Sequence, residues 1–509
     1  MSTDGLGRRA ANATKWALAT QIISKLITPL TTLILAHLLT PEVFGVVALV
    51  AMVTSLADVF SDAGFQKYLI QHEYESRSQY RLSCDVAFWT NLALSVLLWA
   101  LIYLTREPIA GLLGNESIEL AIVVACGSLP LTAAISVQTA VYQRDFDFKT
   151  LFFSRVVSAL LVLFISVPLA FLGVGYWSII VGTIVSNLTL AVWLTIRSWW
   201  RPQFRFSLRE LVAMLSFSTW TLVEQVLIWL TNWVGTFILA SVMSAYYVGL
   251  YNTTVSLVNA AVAIVSGAVN PVVFATLSRF QGDRDHFNES FYRMQRYLGF
   301  AVIPLATFLF TFSHAIVRVY LGSAWVEASL FFGLYSMASA FVVVFGHIAS
   351  DAYRSLGKPR YSILAQLGFL LFYIPGLVLG ARWGFGVFSY AVPCFRVLGS
   401  LITHFVICAF LVGLSPRKML SNVKYIYIAA FAVSAPTVLA IRLLELGIPV
   451  QLLLLALDLV AYLACCLFIR DLRSTLVELC NLFGFERALS RISTAIPGCG
   501  ELFSRGVSE

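Results

Sequence analysis

The sequence predicts an all-α polytopic membrane protein with two parallel, pseudo-symmetric six-helix lobes and two extra C-terminal transmembrane helices. Three observations predict this class: the composition, the distribution of positive charge between loops, and an internal repeat. Of the 509 residues, 59% are hydrophobic and 12% are charged, and the mean hydropathy is +0.84. Because a soluble domain carries about 25% charged residues, this amount of apolar surface requires a lipid environment.

Fourteen apolar segments approach the ~20 residues that a helix needs to cross a bilayer. They define an N-lobe over residues 1–196, a basic linker over 197–210 and a C-lobe over 211–413. Two further spans occupy 414–469, and an amphipathic basic tail over 470–509 is expected to lie on the inner leaflet. The spans are predicted at 16–36, 43–63, 85–104, 118–140, 151–172, 176–196, 211–240, 247–272, 296–313, 327–350, 361–381, 385–413, 424–443 and 448–469.

Lysine and arginine are distributed unevenly between the two sets of loops. With the N-terminus placed inside, 28 of the 34 cationic residues fall on inward segments, four on outward segments and two inside spans. This positive-inside pattern predicts a multi-pass membrane protein with both termini cytoplasmic. The net charge of +8 then describes a basic face next to anionic lipid, not a nucleic-acid site. The eight cysteines include no CxxC pair, so neither a metal site nor a disulfide framework is expected.

A repeat with a fixed offset of 204 residues relates the first hairpin of each lobe. Nine identities fall within the thirty positions 16–45. Six spans separate the copies, so both enter the membrane from the same side and the lobes are parallel. Parallel repeats are common in transporters that hold substrate between the repeats. The least common matched pairs are Trp16 with Trp220, Gln21 with Gln225, and Gly45 with Gly249.

Four motifs resemble a known family. They are "LAHLLTPEVFGVVALV" at 35–50, "FSDAGFQKYLIQ" at 60–71, "YQRDFDFK" at 142–149 and "RSLGKPRY" at 354–361. Their order and spacing are similar to those of Wzx-type polysaccharide flippases, the polysaccharide transport family of the MOP superfamily. The resemblance implies alternating-access export of undecaprenyl-diphosphate-linked oligosaccharide units from the inner to the outer leaflet, for exopolysaccharide, capsule or O-antigen synthesis. It also implies contact with polysaccharide polymerase and export machinery, and no catalytic residues.

Two other classes of function stay open. A MATE-like antiporter coupled to a cation would need carboxylates inside the membrane, and Asp58 and Asp62 are candidates. A membrane-embedded glycan enzyme would need acids or bases on sizeable outward loops. The longest outward loops, near 105–117 and 314–326, are short and contain no clustered carboxylates or histidines. No cofactor is expected, and a coupling ion, H⁺ or Na⁺, is left open.

Charged residues near the middle of a span are candidates for function, because such a charge costs at least ~2.5 kcal/mol. Lys25 lies on one helix face with Gln21, Thr28 and Thr32, since their spacing is 4, 3 and 4. We expect this polar stripe and its repeat equivalent to line a wet cleft rather than to face lipid, although polar packing between helices is the simpler alternative. The equivalent stripe on the seventh span contains Gln225, Trp229, Asn232 and Thr236.

The stripes suggest roles for individual residues in binding a lipid-linked sugar. Lys25 would contact the diphosphate, and Trp229 would offer a flat surface to a sugar ring. Arg396 is a second candidate for substrate binding. Glu224, at similar depth in the other lobe, would hold Lys25 until substrate arrives. Pro29 interrupts the helix hydrogen bonds one turn after Lys25 and would allow the helix to bend.

Overall fold

A computed structural model describes residues 27–62, 64–358, 360–444 and 446–482, together with 15–16, 19–20 and 23. Lys25 and Gln21 lie outside the described residues. The described chain is helical, and its α-helices are labelled α1 to α20 in chain order. The first nine are α1 (Ile27–Leu38), α2 (Pro41–Asp62), α3 (Phe65–Gln71), α4 (Arg77–Leu104), α5 (Arg106–Leu112), α6 (Glu119–Cys126), α7 (Leu129–Arg144), α8 (Phe148–Phe171) and α9 (Trp177–Arg197).

Four local irregularities interrupt the helices, one in the first half of the chain and three in the second. Short 3₁₀ turns at Glu116–Ile118 and Ser323–Ala328 precede α6 and α14, and π-helical turns at Val342–His347 and Cys408–Val412 follow α14 and α17. The remaining helices are α10 (Leu208–Val242), α11 (Ala245–Arg279), α12 (Arg284–Thr311), α13 (Ser313–Tyr320), α14 (Ser329–Phe341), α15 (Ile348–Ser355), α16 (Arg360–Arg382), α17 (Phe385–Ile407), α18 (Pro416–Leu444), α19 (Ile448–Phe468) and α20 (Arg470–Leu482).

The membrane-spanning helices follow the apolar runs of the sequence. Within the described ranges, twelve helical segments are long and apolar enough to cross a membrane, and each overlaps a predicted span. The predicted ninth span differs, because α12 and α13 meet at a 77° bend. The predicted first span is described only in part, as α1. The all-α, multi-pass class is therefore confirmed, and the pseudo-symmetry of the lobes stays a prediction.

Packing divides the chain into two compact units. Unit 1 comprises residues 1–253 and 320–325, and unit 2 comprises 254–319 and 326–509. Helix α10 therefore belongs to the same unit as α1–α9, and the boundary falls inside α11 rather than at the basic linker over 197–210. The predicted division into lobes, linker and C-terminal spans concerns the repeat and stays a prediction.

An aromatic core anchors one end of unit 1. It is formed by α3, α4, α7 and the start of α10, and its members are almost fully buried. The segment after α9 joins this core because the indole of Trp200 and the backbone amide of Gln203 both donate to Asp85, at 3.1 Å each. The largest buried members are Phe65, Tyr68, Tyr80, Trp200 and Met214.

The core of unit 2 lies where α12, α14, α17 and α18 pack together. Tyr335 and Phe388 are among its fully buried side chains. Helix α20 packs on α12 and α18, where it buries Thr475, and Tyr297 donates to Glu478 at 2.5 Å. The first part of the predicted tail thus contacts protein, and the tail after residue 482 lies outside the described residues.

Candidate functional site

The α1–α2 and α10–α11 hairpins of unit 1 meet at two glycines that the repeat makes equivalent. A Cβ atom on Gly45 would lie 1.8 Å from the carbonyl oxygen of Ala245, and one on Gly249 would lie 1.8 Å from that of Pro41. Real Cβ atoms do not approach within 3.0 Å of such atoms, so only glycine fits either position. We call this backbone contact, formed by Pro41, Gly45, Ala245 and Gly249, the glycine crossing.

A short segment that follows α13 completes the end of α1. The Trp325 side chain is fully buried, its Nε1 donates to the carbonyl of Ala36 at 3.0 Å, and its ring meets Phe44 edge-on at 5.1 Å. Because the last carbonyls of a helix have no partner within the helix, Trp325 satisfies one of them. Tyr320 donates to the carbonyl of Pro29 at 2.5 Å, so the predicted bending point of α1 is also held.

Two carboxylates on α2 pair with two hydroxyls on α7. Thr132 donates to Asp58 at 2.6 Å, and Ser136 donates to Asp62. Each pair is one helical turn from the next, so the two helices form a ladder of two matched contacts. Gln225 of α10 lines the same cavity of about 280 Å³, which we call the carboxylate cavity. The structure thus brings together Asp58 and Gln225, two residues that the sequence placed on separate helices.

The carboxylate cavity has the chemistry of a small cation site. Its volume of about 280 Å³ is room for several waters, since each water occupies about 30 Å³ in the liquid. Its ligands are oxygens of carboxylate, hydroxyl and amide groups, the type that membrane transporters use for H⁺ or Na⁺. In the described part of the chain, no group of three or more His, Cys, Asp or Glu side chains is placed to hold a metal ion.

The residues of the predicted stripe on α10 lie in different surroundings. Gln225 lines the carboxylate cavity. Trp229 packs towards α2, where its Nε1 donates to Ser55 at 3.1 Å. Asn232 is exposed. Thr236, one turn further on, is buried and donates to Asn252 at 2.9 Å, so helix packing accounts for that end of the stripe.

The predicted stripe on α1 is described at two of its four positions. Thr28 is exposed, and Thr32 donates to the carbonyl of Thr28 within the helix at 3.1 Å. Lys25 and Gln21 lie outside the described residues, and nothing is described for the side chain of Glu224 in α10. The proposed contact between Lys25 and Glu224 therefore stays a prediction.

Arg396 lies among aromatic rings in unit 2. Its guanidinium carbon is 4.7 Å from the centre of the Tyr335 ring and 6.0 Å from those of Phe369 and Tyr373. Rings at these distances stabilise a cation through their negative faces. The helices α14, α16 and α17 therefore build a cationic, aromatic environment in unit 2, which suits a phosphate or a sugar face.

The sequence reasoning missed Thr132, Ser136 and Trp325. The first two carried a usable signal, because they are four residues apart on one span, as Asp58 and Asp62 are on another. Matched spacing on two helices is what a ladder of paired side chains requires. Trp325 gave no such signal, since its partner is a backbone carbonyl 289 residues away.

Fold and cavity together define a multi-pass α-helical membrane protein with a polar cavity lined by residues of α2, α7 and α10. The fold is shared with a solved structure titled lipid II flippase MurJ in an inward closed conformation, with a TM-score of 0.73 and 15% identity over 90% of this chain and 99% of that one. The family described as polysaccharide biosynthesis protein matches residues 34–330, and the chain belongs to this family. The resemblance carried by the four motifs is confirmed.

Two relatives have named roles. The succinoglycan biosynthesis transport protein ExoT of Rhizobium meliloti (strain 1021) is 25% identical over 305 residues, which cover 60% of this chain. That match spans 61% of ExoT, less than two thirds of its length. The lipopolysaccharide biosynthesis protein WzxC of Escherichia coli (strain K12) is 22% identical over 426 residues, covering 81% of this chain and 84% of WzxC.

Proposed function

We propose that this protein moves undecaprenyl-diphosphate-linked oligosaccharide units from the inner to the outer leaflet of the bacterial inner membrane. The observation that carries the proposal is the family match over residues 34–330. The roles for which ExoT and WzxC are named, succinoglycan transport and lipopolysaccharide biosynthesis, support a polysaccharide precursor as cargo. The flippase title of the MurJ structure supports transport of a lipid-linked form. The product would supply exopolysaccharide, capsule or O-antigen synthesis, with polymerase and export machinery as partners and no catalytic step in this chain.

The glycine crossing would act as the outer gate of an alternating-access cycle. With both termini cytoplasmic, the turns at Pro41 and Ala245 face outwards. Backbone contact at Gly45 and Gly249 closes the space between the two hairpins more tightly than side chains could. Cargo release then requires the hairpins to part, and return to the starting state requires the glycines to meet again.

The cargo would be held by cations and aromatic rings. A diphosphate that enters hydrocarbon must exchange water for other charge partners, since an unpaired buried charge costs several kcal/mol or more. Lys25 and Arg396 would supply that charge. Displacement of Glu224 from Lys25 by the diphosphate would link binding to a change in helix contacts.

The carboxylate cavity would couple transport to a cation. Protonation or Na⁺ binding at Asp58 and Asp62 changes the charge between α2, α7 and α10, and so changes the free energy of their packing. The same cavity is the observation that favours the second candidate function, a cation-coupled antiporter of small molecules. The two candidates differ in cargo, and the cargo decides between them.

The test of the proposal is mass spectrometry of lipid that stays bound to the purified full-length protein. A diphosphate-linked oligosaccharide is the expected ligand of the wild-type chain. The Lys25→Ala variant should lose it and stop export while still inserting in the membrane, whereas Lys25→Arg should retain part of both, because a phosphate contact depends on charge.

Two results would contradict the proposal in different ways. If the Lys25→Ala variant exports at the wild-type rate, Lys25 is a packing residue. Arg396 is then the leading candidate for contact with the diphosphate. Absence of bound diphosphate lipid, combined with cation-dependent efflux of small molecules from proteoliposomes, would establish the antiporter instead.

A further inference from the structure

Three loops meet at one end of unit 1 and enclose a polar cavity. They are the segment between α3 and α4, the turn between α7 and α8, and the segment between α9 and α10. The indole Nε1 of Trp199 donates to Asp145 at 2.6 Å and so ties the last two loops together. The cavity has a volume of about 270 Å³ and is lined by Tyr74, Ser76, Arg77, Tyr80, Arg144, Asp145 and Trp199. We call it the arginine–tryptophan cavity.

Arg144 fixes one wall of this cavity. A single guanidinium nitrogen donates to the carbonyls of Leu69, Ile70 and His72 at 2.9, 3.2 and 2.8 Å. Since the last carbonyls of α3 have no partner within the helix, Arg144 caps that helix. Its guanidinium carbon also lies 4.6 and 4.8 Å from the rings of Tyr74 and Tyr80. A positive charge is therefore held rigidly at the cavity wall.

Arg77 stands at the opposite wall, and Arg81 lies outside the lining on the same side, next to Trp199. The guanidinium carbons of Arg77 and Arg81 lie 4.2 and 5.4 Å from the Trp199 ring. Both side chains are exposed, and the ion pairs found among described residues include neither. Arg77 begins α4, directly after the N-cap Ser76, so the positive end of the helix dipole adds to its charge. A stacked guanidinium keeps its hydrogen-bonding edge free for a phosphate.

The balance of charge in the cavity favours an anion. Two arginines, Arg77 and Arg144, line it, and Asp145 is the single carboxylate in its lining. One oxygen of Asp145 already accepts the Trp199 N–H. Glu73 and Glu75 are exposed and precede α4, but they do not line the cavity. The volume of about 270 Å³ lies below the ~300–1,000 Å³ typical of pockets for drug-sized ligands, so a headgroup fits better than an oligosaccharide.

Exposed aromatic residues mark the depth of the cavity in the membrane. Phe204 is 90% exposed and stacks on Trp89 at 4.3 Å, and Phe206 and Leu208 beside it are also exposed. Aromatic residues concentrate where lipid headgroups meet the hydrocarbon. The segment that carries Trp199 therefore places the cavity beside headgroups, on the face that the charge distribution predicts to be cytoplasmic. A lipid phosphate is closer to it than a phosphate from solution.

We propose that the arginine–tryptophan cavity binds the phosphate of an anionic phospholipid headgroup from the adjacent leaflet. The site lies in loops of unit 1 and is distinct from the residues proposed to hold the transported lipid, so the inference goes beyond the proposed function. An occupied cavity would join the three loops through one shared anion, because the arginines on its two walls lie on α4 and α7.

The test is native mass spectrometry of the full-length protein in micelles supplied with either phosphatidylglycerol or phosphatidylcholine of the same acyl chains. Phosphatidylglycerol should bind more tightly. Arg77→Gln combined with Arg81→Gln should lower its affinity by about thirtyfold, since each arginine near a lipid surface contributes about 1 kcal/mol and about 1.4 kcal/mol corresponds to tenfold. The matched control is Arg417→Gln combined with Lys418→Gln, which removes the same charge from exposed residues in the first turn of α18 and should leave the affinity unchanged.

Trp199→Phe provides a second variant that does not depend on losing charge. The Phe ring still stacks under Arg77, but Asp145 loses the hydrogen bond from the indole N–H. Its carboxylate should then compete with phosphate for the arginines, so phosphatidylglycerol binding should weaken severalfold. Equal effects of the two double variants would overturn the proposal in favour of general electrostatic attraction. Binding of inorganic phosphate alone, with no preference between the lipids, would overturn the assignment to lipid. Unchanged affinity in Trp199→Phe and in the Arg77, Arg81 variant would exclude the cavity as the site.

Discussion

Helices α2 and α11 are equivalent in the repeat, yet they are alike at one end and different further along. At the hairpin turns, Gly45 and Gly249 each face a carbonyl of the other helix. Further along, past the repeat over positions 16–45, continuing the offset of 204 residues pairs Val262 with Asp58 and Ser266 with Asp62. Ser266 donates to the carbonyl of Val262 in its own helix at 3.1 Å, so this part of α11 has no counterpart of the carboxylate ladder.

The two regions differ because a close backbone contact and a carboxylate site place different requirements on the sequence. A backbone crossing needs a small residue on both helices, because a side chain on either would force them apart. A carboxylate site needs acids on one helix and partners on its neighbour, and a second copy adds a further desolvation cost. We infer that the glycine crossing needs both copies of the hairpin, whereas the carboxylates are present in one copy only.

The largest expected effect comes from locking the crossing. Pro41→Cys and Ala245→Cys, in a chain without other cysteines, are expected to form a disulfide, because the carbonyls of Pro41 and Ala245 each lie against the glycine of the opposite hairpin. Polysaccharide export by intact cells should stop when the pair is oxidised and return after reduction. Each single cysteine is the control. Full export by the oxidised pair would show that the hairpins need not part.

Adding one methyl group at the crossing should have the next largest effect. Gly45→Ala and Gly249→Ala should each reduce export at least about tenfold, since overpacking costs typically 1–3 kcal/mol and the closed contact would be lost. Gly386→Ala is the matched control, because a Cβ there meets nothing within 4 Å. If one of these two variants lost most of its export and the other lost none, the contact between Gly45 and Gly249 would not be reciprocal.

Neutralising the ladder should weaken transport through coupling rather than folding. Asp58→Asn and Asp62→Asn keep the size of the side chain but remove its charge, and should lower cation-dependent transport by roughly tenfold, within the usual range of coupling energies. Ser266→Ala, at the α11 position equivalent to Asp62, should have no such effect. Measuring transport in proteoliposomes with and without a Na⁺ or H⁺ gradient separates the outcomes, and equal gradient dependence in all variants would remove the coupling role.

The smallest effect is expected at Trp229. Trp229→Phe keeps a ring against α2 but loses the N–H bond to Ser55, which is worth about 0.5–1.5 kcal/mol. We expect a small fall in melting temperature and less than about threefold loss of export. The control is Trp383→Phe, whose side chain is 76% exposed. Complete loss of export in Trp229→Phe, with unchanged stability, would instead support direct contact between the indole N–H and cargo.

The parts of the fold that were predictable depend on local or periodic information. Apolar runs give the spans, since each span must bury its own backbone polar groups. A fixed offset gives the repeat and singles out Gly45 and Gly249. The π-helical turns and the bend between α12 and α13 depend on packing between distant segments, and a hydropathy profile carries no record of it.

The candidate site was predictable only in part for the same reason. Asp58 was identifiable because charge inside a span is rare, and Gln225 because it repeats. Their meeting in one cavity required Thr132 on a third helix, which no single-helix pattern reveals. The polar stripe predicted on α10 was less uniform than expected: Gln225 lines the cavity, whereas Thr236 satisfies its neighbour Asn252.

The contacts that Trp325 and Tyr320 make with α1 can form only late in the synthesis of the chain. The partners are 289 and 291 residues apart. Helix α1 therefore leaves the ribosome well before the residues that contact it have been synthesised. At ~5–20 residues per second of synthesis, that delay is about 15–60 s. During this interval the carbonyl of Ala36, in the last turn of α1, must be satisfied by headgroups or water. The end of the first span therefore acquires its final partners only after most of the chain has been translated.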